Sequence, residues 1–313
     1  MQDEVFNELA DLALKGAGTS IPKSKAYLIE ARLAPIARRE GFGSMEDLVH
    51  CVKSRANPAF IAEIAAALVS KDTRFFRERE TLQRVLEDVL PARLKASNTG
   101  RLKIWFAGGS TGLEAYSLSI LLEDELPAAL RGAKVEILST DICKVSTEKA
   151  RVARYGHYDI QKGLSIHRLT KHFTRLETGQ WEASEALRGH VSFRQHNLLE
   201  SAAGLGKFDV IICRNVLSGM ARSARVAVID NLASQLMPGG LILLGQGEGL
   251  IGLTEKLEPA RDFRGAWVAA GSAAGWPVRS VHCRLDHGAF WGTPRHDFRR
   301  NRRSGCGHGG AGA

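Results

Sequence analysis

No run of about 18 apolar residues occurs anywhere in the chain, so the sequence offers no helix that would cross a membrane. The opening, MQDEVFNELADLA, lacks a basic flank followed by an apolar block. No secretory leader is expected there, and the cytoplasm is the expected location. CxxC is absent. The five cysteines, Cys51, Cys143, Cys213, Cys283 and Cys306, are scattered and odd in number, which argues against a disulfide framework. The first three read as reduced, buried small hydrophobes. Cys283 and Cys306 stand among His282, His287, His296 and His308, but at irregular spacing, and no metal site is expected. Also missing are GxGxxG, a P-loop lysine and any visible Ser-His-Asp set, so phosphate binding and triad chemistry have little support.

What is present is an ordinary soluble composition over 313 residues, 44% hydrophobic and 25% charged, enough for two domains. The net charge of +9 would suit a nucleic-acid binder, but its distribution does not. From Gly275 onward there are seven arginines, no lysine and two aspartates, a net of +5 that leaves +4 on the first 274 residues. That segment, 273–313, is rich in Gly, Arg and His, has no usable periodicity and is expected to be disordered.

Residues 1–78 read as all helical. In SKAYLIEARLAPIARREGF, Tyr27, Leu28, Ala31, Leu33, Ile36 and Ala37 recur at near-helical spacing, with Glu30, Arg32, Arg38 and Arg39 largely on another face. Gly41 and Gly43 stop this helix. Ser44 is the expected N-cap of the next helix, and Pro58 opens a third. From about Arg101 strands and helices alternate. RLKIWFA, KVEILST, HVSFRQHNLL, FDVIICRNV and LILLGQGEG read as strands, LEAYSLSILLEDEL and TEKARVARY as helices. VAVIDNLASQLMPGG reads as a helix closed by Pro238-Gly239-Gly240. This order predicts an α/β domain over 79–272, its sheet mostly parallel with helices on both faces. The polar stretch 169–189, with Gly179 and Trp181, suits a small β insertion.

The glycine-rich bend Gly108-Gly109-Ser110-Thr111-Gly112 follows a strand and opens a helix, where backbone approaches a ligand closely and N–H groups are free. Asp141 stands 29 residues after Gly112, at the next strand's end, where a carboxylate accepts both hydroxyls of a ribose. With phosphate disfavoured, a phosphate-free nucleoside such as S-adenosylmethionine fits best.

Four segments resemble the CheR-type chemoreceptor methyltransferases, in the right order and spacing. KDTRFFRE (71–78) is similar to that family's Asn-x-Thr-x-Phe-Phe-Arg-Glu, and GGSTGLEAYS (108–117) to its Cys-Ser-Thr-Gly-(Glu/Gln)-Glu-Pro-Tyr-Ser loop. STDIC (139–143) matches its Thr-Asp-Ile, and CRNVL (213–217) its Cys-Arg-Asn-Val strand end. The resemblance, over about residues 5–272, implies a Rossmann-like class I methyltransferase domain behind an all-helical N-terminal domain. It implies S-adenosylmethionine as cofactor and the glutamates of methyl-accepting chemotaxis receptors as substrate. By residue, it implies that Thr73 and Arg77 close over the cofactor and Glu114 holds its ammonium. Asp141 takes the ribose, Asn197 and Leu198 flank the adenine, and Arg214 and Asn215 line the mouth. Arg77 and Arg214 are the implied catalytic residues. It implies receptor docking for the β insertion, and the basic helical face with Lys25, Arg32, Arg38 and Arg39 suits an acidic receptor region. The departures are Lys71 for asparagine, Gly109 for cysteine or alanine, Leu113 for a polar residue, Ala115 for proline, and Gly219 at the family's tyrosine, near the transferred methyl. The alternative is a catalytically impaired, S-adenosylmethionine-binding regulatory protein of the same family.

Overall fold

Four helices come first. The computed structural model describes residues 1–55, 57–97 and 99–272, so the tail and its two cysteines lie outside the described residues. Helix α1 (Asp3–Ala17) carries Asp3 and Glu4 in its first turn and Lys15 in its last, each suited to the helix dipole. Gly18, at φ 66°, closes it by donating to the Ala13 and Leu14 carbonyls. Helices α2 (Ala26–Glu40), α3 (Met45–Arg55) and α4 (Pro58–Leu68) pack on it around Leu9, Ile29, Leu33, Leu48, Ile64 and Leu68. The Ser44 hydroxyl accepts from Asp47 N at 3.1 Å, as its capping position predicts, while the Asn57 carboxamide caps α4 ahead of Pro58. Tyr27, at 64%, and Ala31 are exposed: the core-facing stripe of α2 runs through Ile29, Leu33, Ile36 and Ala37.

The chain then runs through α5 (Arg79–Arg84), a π turn and α6 (Leu90–Ala96) into the sheet domain. Strand β1 (Arg101–Ala107) is followed by α7 (Leu113–Glu125), β2 (Lys134–Asp141) and α8 (Lys144–Val152). Next come β3 (Arg154–Tyr155), α9 (His157–Gln161), α10 (Ile166–His172), β4 (Phe173–Arg175), β5 (Trp181–Ala183) and α11 (Glu185–His190). The last stretch holds β6 (Val191–Gln195), β7 (Phe208–Cys213), α12 (Arg222–Ser234), β8 (Leu236–Leu244), β9 (Leu257–Pro259) and β10 (Ala266–Ala269).

The seven-stranded sheet has the order β6-β2-β1-β7-β8-β10-β9, parallel from β6 through β8 and antiparallel at the β10 and β9 edge. Alternate residues of each central strand enter opposite cores, so helices cover both faces. Ile104, Phe106, Val210 and Ile212 join Leu118 and Leu122 of α7, whereas Trp105, Ala107, Ile211 and Cys213 join Val228 and Leu232 of α12. The chain leaves β1 toward β2 and β6, then returns to β7 and β8 on the other side. That reversal opens a crevice at the carboxyl ends of β1 and β7.

Two expectations change in detail. The helix before β8 ends at Ser234, and Pro238-Gly239-Gly240 lies inside β8, where the pairing with β7 shifts register between Phe208 and Val210. The Pro238 carbonyl accepts from buried Arg93, so the segment is held as strand backbone instead of ending a helix. The insertion is a three-stranded antiparallel sheet, β3-β5-β4, whose first strand begins upstream, at Arg154. Cys51, Cys143 and Cys213 are free and buried. Among the described residues no helix is long and apolar enough to cross a membrane, and no cluster of side chains suits a metal ion.

Asp124, at the end of α7, anchors α10. Its carboxylate accepts from Lys171 Nζ at 2.6 Å, from the His172 ring at 2.8 Å and from Arg168 Nε at 3.1 Å. Burial works to raise its pKa, but the three hydrogen bonds together bring it down to about 2. A depressed carboxylate contributes stability above the unfolded-chain pKa, and loses it as pH falls through the folded value. Asp124→Asn is therefore expected to cost about 2 kcal/mol at pH 7. The gap to the parent chain in thermal unfolding should close between pH 5 and pH 2; a gap independent of pH would contradict this assignment.

Candidate functional site

The bend between β1 and α7 is built from left-handed backbone and close approach. Gly108 lies at φ 80°, where an added Cβ would stand 2.6 Å from Val216 Cγ2, and Ser110 and Gly112 also take positive φ. The Gly108 and Gly109 N–H groups donate to the Thr140 carbonyl at 2.9 and 2.8 Å. Asp141 completes the join: one carboxylate oxygen accepts from Ser110 N and the other from Cys143 N, each at 2.8 Å. Each oxygen keeps a lone pair for a further donor. Burial raises the Asp141 pKa, while these two N–H donors and nearby Lys71 pull the other way. The Lys71 side chain is exposed, and its carbonyl accepts from the Ser110 hydroxyl.

Glu114 sits in the first turn of α7, where the helix dipole favours an acid. It is buried, and its Oε2 accepts from both Nε (2.9 Å) and Nη2 of Arg214, just past the end of β7. Among the described residues its Oε1 has Arg77 Nε at 4.0 Å as its only near cation and no hydrogen bond. Arg77 in turn donates through Nη1 to Asn215 Oδ1 (2.8 Å) and through Nη2 to Asp72 (2.6 Å). Three buried donors around Glu114 have no hydrogen-bond partner among the described residues: Thr73 Oγ1, Arg77 Nε and Arg214 Nη1. Arg214 Nη1 has only the Glu78 carboxylate, at 3.6 Å.

These groups face or back a cavity of about 400 Å³ in the crevice at the carboxyl ends of the strands. Of the residues singled out from sequence, Thr73, Glu114, Asp141, Asn197, Leu198, Arg214 and Asn215 all line it. Arg77 stands one layer back, behind Glu114, and opens on the other side into a separate surface hollow with Phe75, Phe76 and Lys162. Asn197 is already engaged: its Nδ2 donates to the Gly16 carbonyl at 2.8 Å and its Oδ1 accepts from Leu199 N at 3.1 Å. Gly219 lines the wall, and a Cβ added there meets no atom within 4 Å.

Sequence reasoning missed two parts of the site. The first is the linker between α1 and α2, which forms one wall through Thr19, Ser20, Ile21 and Pro22. It pairs by backbone with the segment after β7: Ser20 N donates to Gly219 O, Ala221 N to Gly18 O, and Thr19 bridges Met220. Lys25 and Arg32 line the cavity beside it, Arg32 donating to the Leu68 carbonyl. Arg39, from the same expected basic face, is occupied by Glu63 and Glu40. The second is Glu248, whose carboxylate accepts from Asn215 N (2.7 Å), Ser218 N (2.9 Å) and Gly245 N (3.1 Å) and so fixes the loop after β7. No periodicity marks either one; only the turn formers Gly18, Pro22 and Gly247 hint that the backbone is special there.

Residues 71–263 match the family model described as CheR methyltransferase, SAM binding domain. "Chemotaxis protein methyltransferase Cher2" of Pseudomonas putida is 30% identical over 252 residues, covering 80% of this chain and 92% of the relative. "Chemotaxis protein methyltransferase 1" of Pseudomonas aeruginosa is 32% identical over 243 residues, covering 77% and 88%. "Chemotaxis protein methyltransferase" of Vibrio anguillarum is 32% identical over 262 residues, covering 83% and 94%.

Gly109 is required by its neighbour and not by its own backbone angle. A Cβ there would stand 2.1 Å from the Oγ of buried Ser139 but 3.4 Å from its Cβ. Gly109→Ala is expected to cost about 1–3 kcal/mol by overpacking. Adding Ser139→Ala should return most of that, which a double-mutant cycle in denaturant would read. Simple additivity of the two losses would refute the contact.

Proposed function

Given that the chain belongs to the CheR methyltransferase family, we propose that it methylates glutamate side chains of chemotaxis receptors and so adjusts their signalling. It is an S-adenosylmethionine-dependent methyltransferase of chemotaxis; the receptor glutamate, the adaptation role and the individual residue roles are the proposed part. One observation carries the fit of the cofactor. Around Glu114 the cavity offers a carboxylate oxygen without a hydrogen bond beside two buried donors of its lining without one, on Thr73 and Arg214, with Arg77 Nε behind Glu114. An α-amino acid zwitterion answers both needs, ammonium to Glu114 and carboxylate to the donors. The Asp141 lone pairs then suit ribose hydroxyls, and Leu198 supplies an apolar contact for a purine.

When bound, S-adenosylmethionine supplies a methyl group made electrophilic by its sulfonium. A substrate glutamate, with a pKa of about 4.3, is already ionised at neutral pH, so no residue need remove a proton. That agrees with a cavity lacking a nucleophile–base pair. What remains for the chain is alignment and exclusion of water. Arg214, locked by Glu114, lies where a carboxylate must approach, and Arg77 steadies Asn215 and Glu114 from behind. Lys25 and Arg32 give the helical wall a positive charge suited to an acidic receptor segment. Each transfer makes a neutral ester, removing one negative charge from the receptor.

Asp141→Asn and Glu114→Gln are expected to weaken binding of S-adenosylhomocysteine about tenfold or more in calorimetry, with methyl transfer to purified receptor fragments falling in parallel. Parent-like affinity in both variants would defeat the reading of the cavity. Gly219→Tyr enters open space, so it should leave the unfolding midpoint and product affinity near those of the parent. Turnover should rise several-fold as the added ring closes the wall. Unchanged turnover would mean that this wall has no part in the transfer.

A further inference from the structure

Along the sheet order β1-β2-β6 three side chains face the cavity in turn: Glu114 after β1, Asp141 at the end of β2, and His196 just past β6. Adjacent strand ends are about 4.8 Å apart. A nucleoside amino acid with its ammonium at Glu114 and its ribose at Asp141 therefore brings its base to the end of β6. Asn197 is the obvious polar group there; its carboxamide is held by Gly16 and Leu199 and keeps one N–H and one lone pair. His196 offers a ring nitrogen beside it. Its backbone N–H donates to the Asp141 carbonyl at 3.0 Å, and its ring lies 6.2 Å from the buried Trp105 ring, which together place the imidazole. Its Nε2 is buried and has no hydrogen-bond partner. A buried polar atom left so is destabilising, and a ligand's hydrogen bond removes that penalty.

We propose that His196 takes part in reading the base: beside Asn197, its Nε2 makes a hydrogen bond to the adenine edge. The inference rests on the cofactor reading above and adds its specificity. The charged groups acting on the ring are Glu200 and Arg194, on its own segment. Burial lowers the imidazole's pKa, with Glu200 opposing and Arg194 assisting. The ring therefore enters the complex neutral, with one N–H and one lone pair, and discriminates by hydrogen-bond pattern and not by charge. A base with a 6-oxo group in place of the 6-amino group inverts that pattern at its edge, and a site built on a buried polar group rejects such an analogue strongly.

Calorimetry on the full chain with S-adenosylhomocysteine and S-inosylhomocysteine tests this. The parent protein is expected to prefer the adenosyl compound by about tenfold or more. His196→Phe keeps a ring against Trp105 but no nitrogen. It should bind the adenosyl compound about tenfold more weakly, with a base preference below about twofold. His196→Gln restores a donor and an acceptor, and should recover part of both. Asp141→Asn should weaken both compounds alike and leave the preference intact. If the phenylalanine variant is destabilised in thermal unfolding, His196→Ala is read by the same preference. A His196 variant that keeps parent affinity or parent base preference overturns the proposal while leaving the cofactor reading in place. A parent protein that binds neither compound overturns both.

Discussion

A buried carboxylate and a buried guanidinium, Glu114 and Arg214, hold the centre of this molecule. They come from opposite sides of the sheet's reversal point, one from the helix after β1 and the other from the end of β7. Neither charge is tolerable alone at that depth, so each fixes the other's loop. The pair is also incomplete, since one oxygen and one nitrogen stay outside it without a hydrogen bond. The same two side chains thus brace the fold and line the cavity. The positive-φ backbone of the glycine bend, the Asp141 bridge and the Glu248 clamp all serve to bring those groups to one place.

Much of this was legible before any coordinates. Strand runs such as RLKIWFA and FDVIIC are apolar because both sheet faces are covered, and that alone places the glycine bend and Asp141 at strand ends. Motif order then brought Thr73, Glu114 and Arg214, far apart in the chain, to one cavity. What escaped notice was set by backbone geometry instead of residue pattern. The α1–α2 linker reaches the site through main-chain hydrogen bonds, which leave no side-chain signature. Pro238-Gly239-Gly240 has the composition of a helix stop, yet the shifted pairing of β8 with β7 takes it into a strand. Tyr27 satisfies the helical period and still faces water, because one helix has more apolar positions than its three neighbours cover.

Asn197 shows that a motif position can carry a structural task as well. Its carboxamide ties the end of α1 and its own turn together, which makes it a brace between the helical layer and the sheet. Similarly, Gly109 departs from the family's small side chain for a local reason: Ser139 occupies the volume that a methyl group would need. The Lys71 backbone, whose carbonyl receives the Ser110 hydroxyl, matters to the bend while its side chain reaches solvent.

The short stitch between residues 18–20 and 219–221 has a mechanical outcome. A stretch that is at once cavity wall and backbone partner to the loop beyond β7 cannot shift without dragging that loop along. The helical layer and the cavity wall are therefore joined by main-chain hydrogen bonds. A displacement of the helical layer is thereby passed to the loop after β7 through a few main-chain amides, alongside the Asn197 brace to Gly16.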